Sequence, residues 1–302
     1  MLRFLKRLRT FKGSIHFVYS EPSRYYGSTV LRGEQLAKIA QKALGQPVHF
    51  TSTDYRYKNC TLFITKWALY ELRQKGLSRL KAKGNRIILD PIDGPIYPDW
   101  LKYADIIVAV SESISEEYKK NFPPNVKVIV IDHNADLRLK QQNWSRKPKK
   151  LKTVYFGEHI NTIYKPQIAQ RVDFLWVDTV HQKDYWLKAA PNYNLHYAVR
   201  KKRDVYPNKP FMKGFTAAHC GANILIQASE KEAVRWLGKD YPYLLHGRVT
   251  EKKILEMLKY AEKSYGSKEW RRGLRTMERI RKKTSEEAIG KQLVELFTQV
   301  QR

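Results

Sequence analysis

Apolar runs and amphipathic stretches alternate along this chain in a regular order. Ile15-His16-Phe17-Val18-Tyr19 is short and apolar and predicts a buried strand. A polar loop from Ser20 to Ser28 follows. Val30, Leu31, Leu36, Ala37, Ile39, Ala40 and Ala43 then recur at helical spacing and stop near Gly45. Further strands are predicted at Val48–Phe50, Thr61–Ile64, Arg86–Leu89, Asp105–Val110 and Lys127–Ile131. Continuous Val/Ile-rich strands separated by helical segments predict a parallel sheet covered on both faces.

The stretch from Lys140 to Lys152 is polar and basic and has no apolar period, so it reads as a linker. The alternation then restarts, with strands predicted at Thr153–Phe156, Phe174–Val177, Tyr193–Val199 and Asn223–Ile226. The tail from Glu251 to Arg302 reads as helical and strongly basic. These spans divide the chain into a first Rossmann-like domain at 1–139, a linker at 140–152, a second Rossmann-like domain at 153–285 and a last helix at 286–302 that crosses back. The predicted fold class is α/β, two Rossmann-like domains facing a cleft. Ligands of such sheets bind at the carboxyl ends of the strands.

Composition narrows the class. Hydrophobic residues make up 42% of the chain and aromatics 12%, enough for a core, so a disordered chain is excluded. Apolar runs stay short of the ~18 residues that a spanning helix needs. Cys60 and Cys220 lie far apart in apolar surroundings, which suits buried thiols in a reducing, cytoplasmic compartment.

Charge adds a partner. The 302 residues hold 57 Lys and Arg against 29 Asp and Glu, a net +28. Nucleic acid, an acidic polymer and an anionic lipid surface all suit that balance. Leu2, Phe4, Leu5, Leu8 and Phe11 recur among basic residues in the first twelve positions. This reads either as an amphipathic segment at a lipid interface, making the protein peripherally membrane-associated, or as a helix packed on its own domain. The basic residues form no known nucleic-acid motif, so nucleic acid is not the expected partner.

Candidate chemistry gathers after strands. Lys213 to Cys220 reads as a helix whose first turn carries a lysine beside free backbone N–H groups, a ready phosphate site. Arg200-Lys201-Lys202-Arg203 places more cations after the preceding strand. Asp90 and Asp93, in Asp90-Pro91-Ile92-Asp93-Gly94, follow a strand on a loop bounded by Pro and Gly. Either could orient or deprotonate an acceptor hydroxyl. Either could equally stabilise the turn. Glu21, after the first strand, is a rival carboxylate. No His or Cys spacing suggests zinc, and no aspartate-x-aspartate segment is present, so neither metal nor cofactor is expected.

The segment from Lys209 to Tyr243 resembles the donor-binding region of GT-B fold glycosyltransferases, including bacterial polysaccharide enzymes. It carries Lys209-Pro210, Lys213, Ala217-Ala218, Gly221, Ile224-Leu225-Ile226, Glu230-Lys231-Glu232 and Leu237-Gly238-Lys239-Asp240-Tyr241-Pro242-Tyr243. Val128–Asp136 resembles the end of that fold's N-terminal domain, and Tyr155-Phe156-Gly157-Glu158 the opening of its C-terminal domain. The family's pair of glutamates eight residues apart is matched only in part, by Glu230 and Glu232. Its glycine-rich loop is reduced to Gly27-Ser28.

The resemblance implies metal-independent transfer of a sugar from a nucleotide-sugar donor to a glycan or lipid-linked acceptor. It implies donor contacts from Gly157, Arg200, Lys201, Lys213, Glu230 and Glu232. It puts the acceptor near Gly27, Ser28 and Arg32, with Asp93, Asp90 or Glu21 in catalysis. The alternatives are a nucleic-acid-binding or modifying protein and a non-catalytic nucleotide-sugar-binding module.

Overall fold

In the computed structural model, which describes residues 13–142, 148–178, 181, 184–201 and 209–301, the apolar runs form two parallel sheets. The chain separates into two compact units. Unit 1 holds the described residues up to Asn134 and those from Ser285 onward; unit 2 holds Ala135–Thr284. The division falls ahead of the basic stretch at 140–152. Residues 1–12, 143–147 and 202–208, with the N-terminal amphipathic segment, Lys202 and Arg203, lie outside the described residues.

Unit 1 carries β1 (Ile15–Tyr19), β2 (Val48–Ser52), β3 (Thr61–Thr65), β4 (Arg86–Asp90), β5 (Ile106–Ala109) and β6 (Val128–Val130). They lie in the order β2-β1-β3-β4-β5-β6, every pair parallel. β3 is buried at all five positions, as a strand covered on both faces must be. The helices are α1 (Gly27–Thr29), α2 (Leu36–Leu44), α3 (Lys66–Ala82), α4 (Pro98–Leu101) and α5 (Glu112–Asn121). A wide helical turn at Val30–Gln35 joins α1 to α2. α3 is broken at Arg73, whose φ of 51° is not helical.

Unit 2 carries β7 (Thr153–Gly157), β8 (Asp173–Trp176), β9 (Leu195–Tyr197), β10 (Asn223–Gln227) and β11 (Leu244–Leu245), in the order β11-β10-β9-β7-β8, again all parallel. Its helices are α6 (Pro166–Ala169), α7 (Tyr185–Ala189), α8 (Met212–His219), α9 (Lys231–Leu237), α10 (Glu251–Ser264) and α11 (Lys268–Lys283).

α12 (Glu286–Gln301) belongs to unit 1. It buries Ile289, Leu293, Leu296, Phe297 and Val300 along one stripe. Gly290 lets it approach α2 closely, since a Cβ there would lie 3.0 Å from that of Ala43. The Gln292 side chain accepts from the Asp132 backbone N–H and donates to the Asp132 carboxylate, both at 2.8 Å.

Both sheets reverse their winding once. In unit 1 the reversal lies between β1 and β3, in unit 2 between β7 and β9. Beyond the carboxyl ends of such strand pairs, successive crossovers run to opposite faces and leave room for a ligand.

Candidate functional site

At the unit 2 reversal, β7 ends in Gly157 with φ 148°, a conformation that favours glycine. A Cβ there would lie 2.8 Å from the Lys213 ammonium and 2.9 Å from the Tyr155 hydroxyl. Lys213 enters from the first turn of α8. Its ammonium donates to the Phe156 carbonyl and lies over the Tyr155 ring, 4.2 Å from the centroid. Tyr155 is held there by donating to the Glu158 carbonyl at 2.8 Å. The ammonium is thus enclosed although the lysine stem is only half-buried. Burial first, and then the charges of Arg200 and Lys209 against the opposing Glu158, lower its pKa to about 7. Beneath it, burial and the Lys213 charge push His196 down to about 3, so the imidazole is neutral.

The chain leaving β9 is tied to the end of β10 by a side chain that imitates a sheet rung. Gln227 accepts from the Arg200 backbone N–H and donates to the Arg200 carbonyl, both at 3.0 Å. This fixes the Arg200 guanidinium 3.3 Å from Glu230. Glu230 stands at the N-cap of α9 but does not cap it; its carboxylate faces Arg200 and Gln227 instead. α8 also has no side-chain cap, so its positive end is not neutralised by its own sequence. Gly157, Lys213, Arg200 and Glu230 therefore converge on the carboxyl ends of β7, β9 and β10. Lys201 follows on the same loop and is exposed, whereas Glu232 is buried beside Arg235.

At the unit 1 reversal, the Thr65 hydroxyl donates to the Val18 carbonyl at 2.8 Å, locking the end of β3 to β1. The next two residues reach sideways. Lys66 donates to Asp93 at 2.8 Å, and Trp67 Nε1 donates to Ser28 Oγ at 3.1 Å. Asp93 follows Ile92, which is buried with φ 62°. A β-branched residue in that region costs about 1–3 kcal/mol, and such strain concentrates at functional sites. It is held by packing of Ile92 into a cluster with Ile107, Val110 and Ile114. A Cβ on Gly94 would overlap the Tyr70 hydroxyl, so the bend presenting Asp93 requires glycine.

Rings continue outward from this point. Tyr26 and Trp67 meet edge-on at 5.4 Å, and Trp67 and Tyr70 at 5.8 Å. Glu21 is exposed at the end of β1.

Arg32 and Asp90 occupy a different place from the surface edge the sequence suggested. Both are fully buried, with Arg32 Nε donating to Asp90 Oδ2 at 2.8 Å. Arg32 Nη1 also donates to the carbonyls of Ile131 and Asp132, each at 3.1 Å. Burial raises the Asp90 pKa against the pull of Arg32. These two side chains pin the turn before α2 to the ends of β4 and β6 rather than facing solvent. Sequence reading passed over Lys66, Trp67 and Gln227, and took Tyr155 only as part of a strand and its glycine turn. For Lys66 and Gln227 a signal existed: each is a polar residue at or just beyond a strand's carboxyl end beside a reversal.

Among the described residues, no three His, Cys, Asp or Glu side chains gather as metal ligands. No helix among them is long and apolar enough to cross a membrane.

No protein-family profile and no curated protein matches this chain. Solved structures do. A glycosyltransferase from Rickettsia africae superposes with a TM-score of 0.66 at 9% identity, over 96% of this chain and 98% of that one. Anabaena HepE in complex with UDP and glucose gives 0.59 at 12% identity, over 95% and 99%. A UDP-forming trehalose-phosphate synthase from Burkholderia vietnamiensis gives 0.51 at 8%, over 78% and 72%. At such identities the likeness is one of fold: two Rossmann-like domains of the GT-B type.

Proposed function

We propose that the protein is a glycosyltransferase that moves a sugar from a nucleoside-diphosphate sugar to a hydroxyl of a glycan or lipid-linked acceptor. The observation that carries this reading is the enclosed Lys213 at the unit 2 reversal, with Gly157, Arg200 and Glu230 around it. A lysine kept out of water, hydrogen-bonded to a carbonyl and set over a ring, gains most from an incoming anion. Gly157 lets a diphosphate approach the backbone, and the uncapped end of α8 adds N–H donors. Glu230 offers a carboxylate for ribose hydroxyls. That HepE is solved with UDP and glucose on the same fold agrees with this assignment.

In transfer, negative charge grows on the leaving diphosphate. Lys213, Arg200 and the helix end meet that charge, the task that a metal performs in other sugar transferases. We therefore propose a metal-independent reaction. On the acceptor side, Asp93 accepts the proton of the attacking hydroxyl or orients it, and Lys66 fixes the direction of its carboxylate. Gly27 and Ser28 border this site, Arg32 and Asp90 support it from the core, and Glu21 is the second carboxylate within reach of the same reversal.

Release of nucleoside diphosphate from a panel of uridine, guanosine, adenosine and thymidine diphospho-sugars, in excess EDTA, tests the reading. Asp93→Asn should lower turnover by about a hundredfold or more while donor affinity holds. No release and no binding with any member of the panel would overturn it.

A further inference from the structure

β8 is the edge strand of the unit 2 sheet, and it carries large aromatic residues in the open. Trp176 is 40% exposed and Tyr164, on the segment before α6, 41%. With His159, Phe174, Ala169, Val172 and Asp173 they line a groove of about 500 Å³. Exposing two large rings side by side forgoes the stabilisation their burial would bring, and such patches mark binding sites.

Four rings border the indole without stacking on it. His159 meets Trp176 at 71° and 4.7 Å, Tyr155 at 63° and 5.9 Å, Tyr164 at 57° and 6.1 Å, and Phe174 at 34° and 5.5 Å. Among the described residues no ring lies flat on it, unlike the stacked core pair Phe17 and Phe63 at 23° and 4.4 Å. The groove's polar groups are the His159 imidazole and the Tyr164 phenol, both exposed. Asp173 contributes none: in register with Val154, its carboxylate turns to the opposite face of the sheet and accepts from the Tyr193 hydroxyl at 2.9 Å.

We propose that this groove is a carbohydrate subsite that takes a pyranose ring of an oligosaccharide. A pyranose has an apolar C–H face and a rim of hydroxyls. The first fits flat against an aromatic ring, and the second needs polar partners at the edge, here the His159 imidazole and the Tyr164 hydroxyl. A peptide strand from another molecule would use the unpaired backbone of β8. The groove is instead built by side chains of β8, the turn at His159 and the α6 region. A nucleobase would also stack on Trp176, which pairs with Gly157 and meets the Tyr155 ring at 5.9 Å, so the titration of UDP decides between the two. The subsite does not depend on the donor assignment, so either can fail alone.

Titration calorimetry with maltohexaose, cellohexaose and chitohexaose tests it, with UDP titrated in parallel. At least one oligosaccharide should bind. Trp176→Ala and Tyr164→Ala should each weaken that binding at least tenfold, Trp176→Phe should retain part of it, and Asp173→Asn, on the opposite face, should leave it unchanged. In Tyr164→Ala, which leaves Tyr155 and Trp176 in place, melting temperature and UDP response should stay those of the parent. Three results would overturn the proposal. One is no heat with all three sugars, or heat that survives both alanine variants. Another is a loss of UDP affinity in Tyr164→Ala, which would make the groove part of the nucleotide site. The third is a dimer that Trp176→Ala converts to monomer in sedimentation, which would make the face a self-association surface.

Discussion

Lys213 is poised between two protonation states, and its ligand decides between them. Its ordinary pKa of 10.5 is brought to about 7 by enclosure and by Arg200. The unfolded chain therefore holds a proton between pH 7 and about 10 that the native protein has released. The stability of the ligand-free protein should rise with pH across that window. An anionic diphosphate favours the charged ammonium, so binding there takes up a proton, and affinity should fall by up to about tenfold per pH unit above 7. The two slopes have opposite signs and a common cause. Lys213→Met should remove both, which thermal melts with and without UDP from pH 7 to about pH 9 would show. Parallel slopes in parent and variant would assign the titration elsewhere.

Among the elements, the buried pair of Arg32 and Asp90 ties the turn before α2 to the ends of β4 and β6. Arg32→Met leaves a carboxylate buried without its partner and should cost about 3–5 kcal/mol by urea unfolding. Adding Asp90→Leu should recover most of that loss, because a dry apolar pair escapes the desolvation penalty. A small effect of the single change would mean that water reaches Asp90.

This pair also shows where sequence reading stops. The strands of both sheets were legible because burial on both faces leaves runs of apolar residues, as at Ile106–Ala109 and at Ile224, Leu225 and Ile226 in β10. Parallel pairing followed from the helical segments between them. β11 is two residues long and leaves no period to see. Arg32 stands near an exposed loop, and nothing local announces a partner 58 residues away. Lys213 and Arg200 stood out because cations follow strands, but the ring of Tyr155 beneath Lys213 could equally have been an ordinary core aromatic.

For the whole molecule the excess of +28 calls for a counterpart. Part of it is visible on α11, which buries Trp270, Met277 and Ile280 and exposes Arg271, Arg272, Arg275 and Arg279. Each such cation near an anionic bilayer contributes about 1 kcal/mol. The protein should therefore sediment with phosphatidylserine vesicles and not with neutral ones, less so in raised salt and after deletion of residues 1–12. Indifference to anionic vesicles at low salt would assign the charge to a soluble polyanion. The claim on which the functional account rests is narrower: unit 2 binds the diphosphate of a sugar nucleotide through Lys213. Calorimetric titration of UDP into the parent protein and Lys213→Met at pH 7 measures it directly. Binding should be saturable in the parent and weakened about ten- to a hundredfold in the variant, the worth of one charge-assisted contact. Equal affinity in the two proteins, or no binding in the parent, would contradict it.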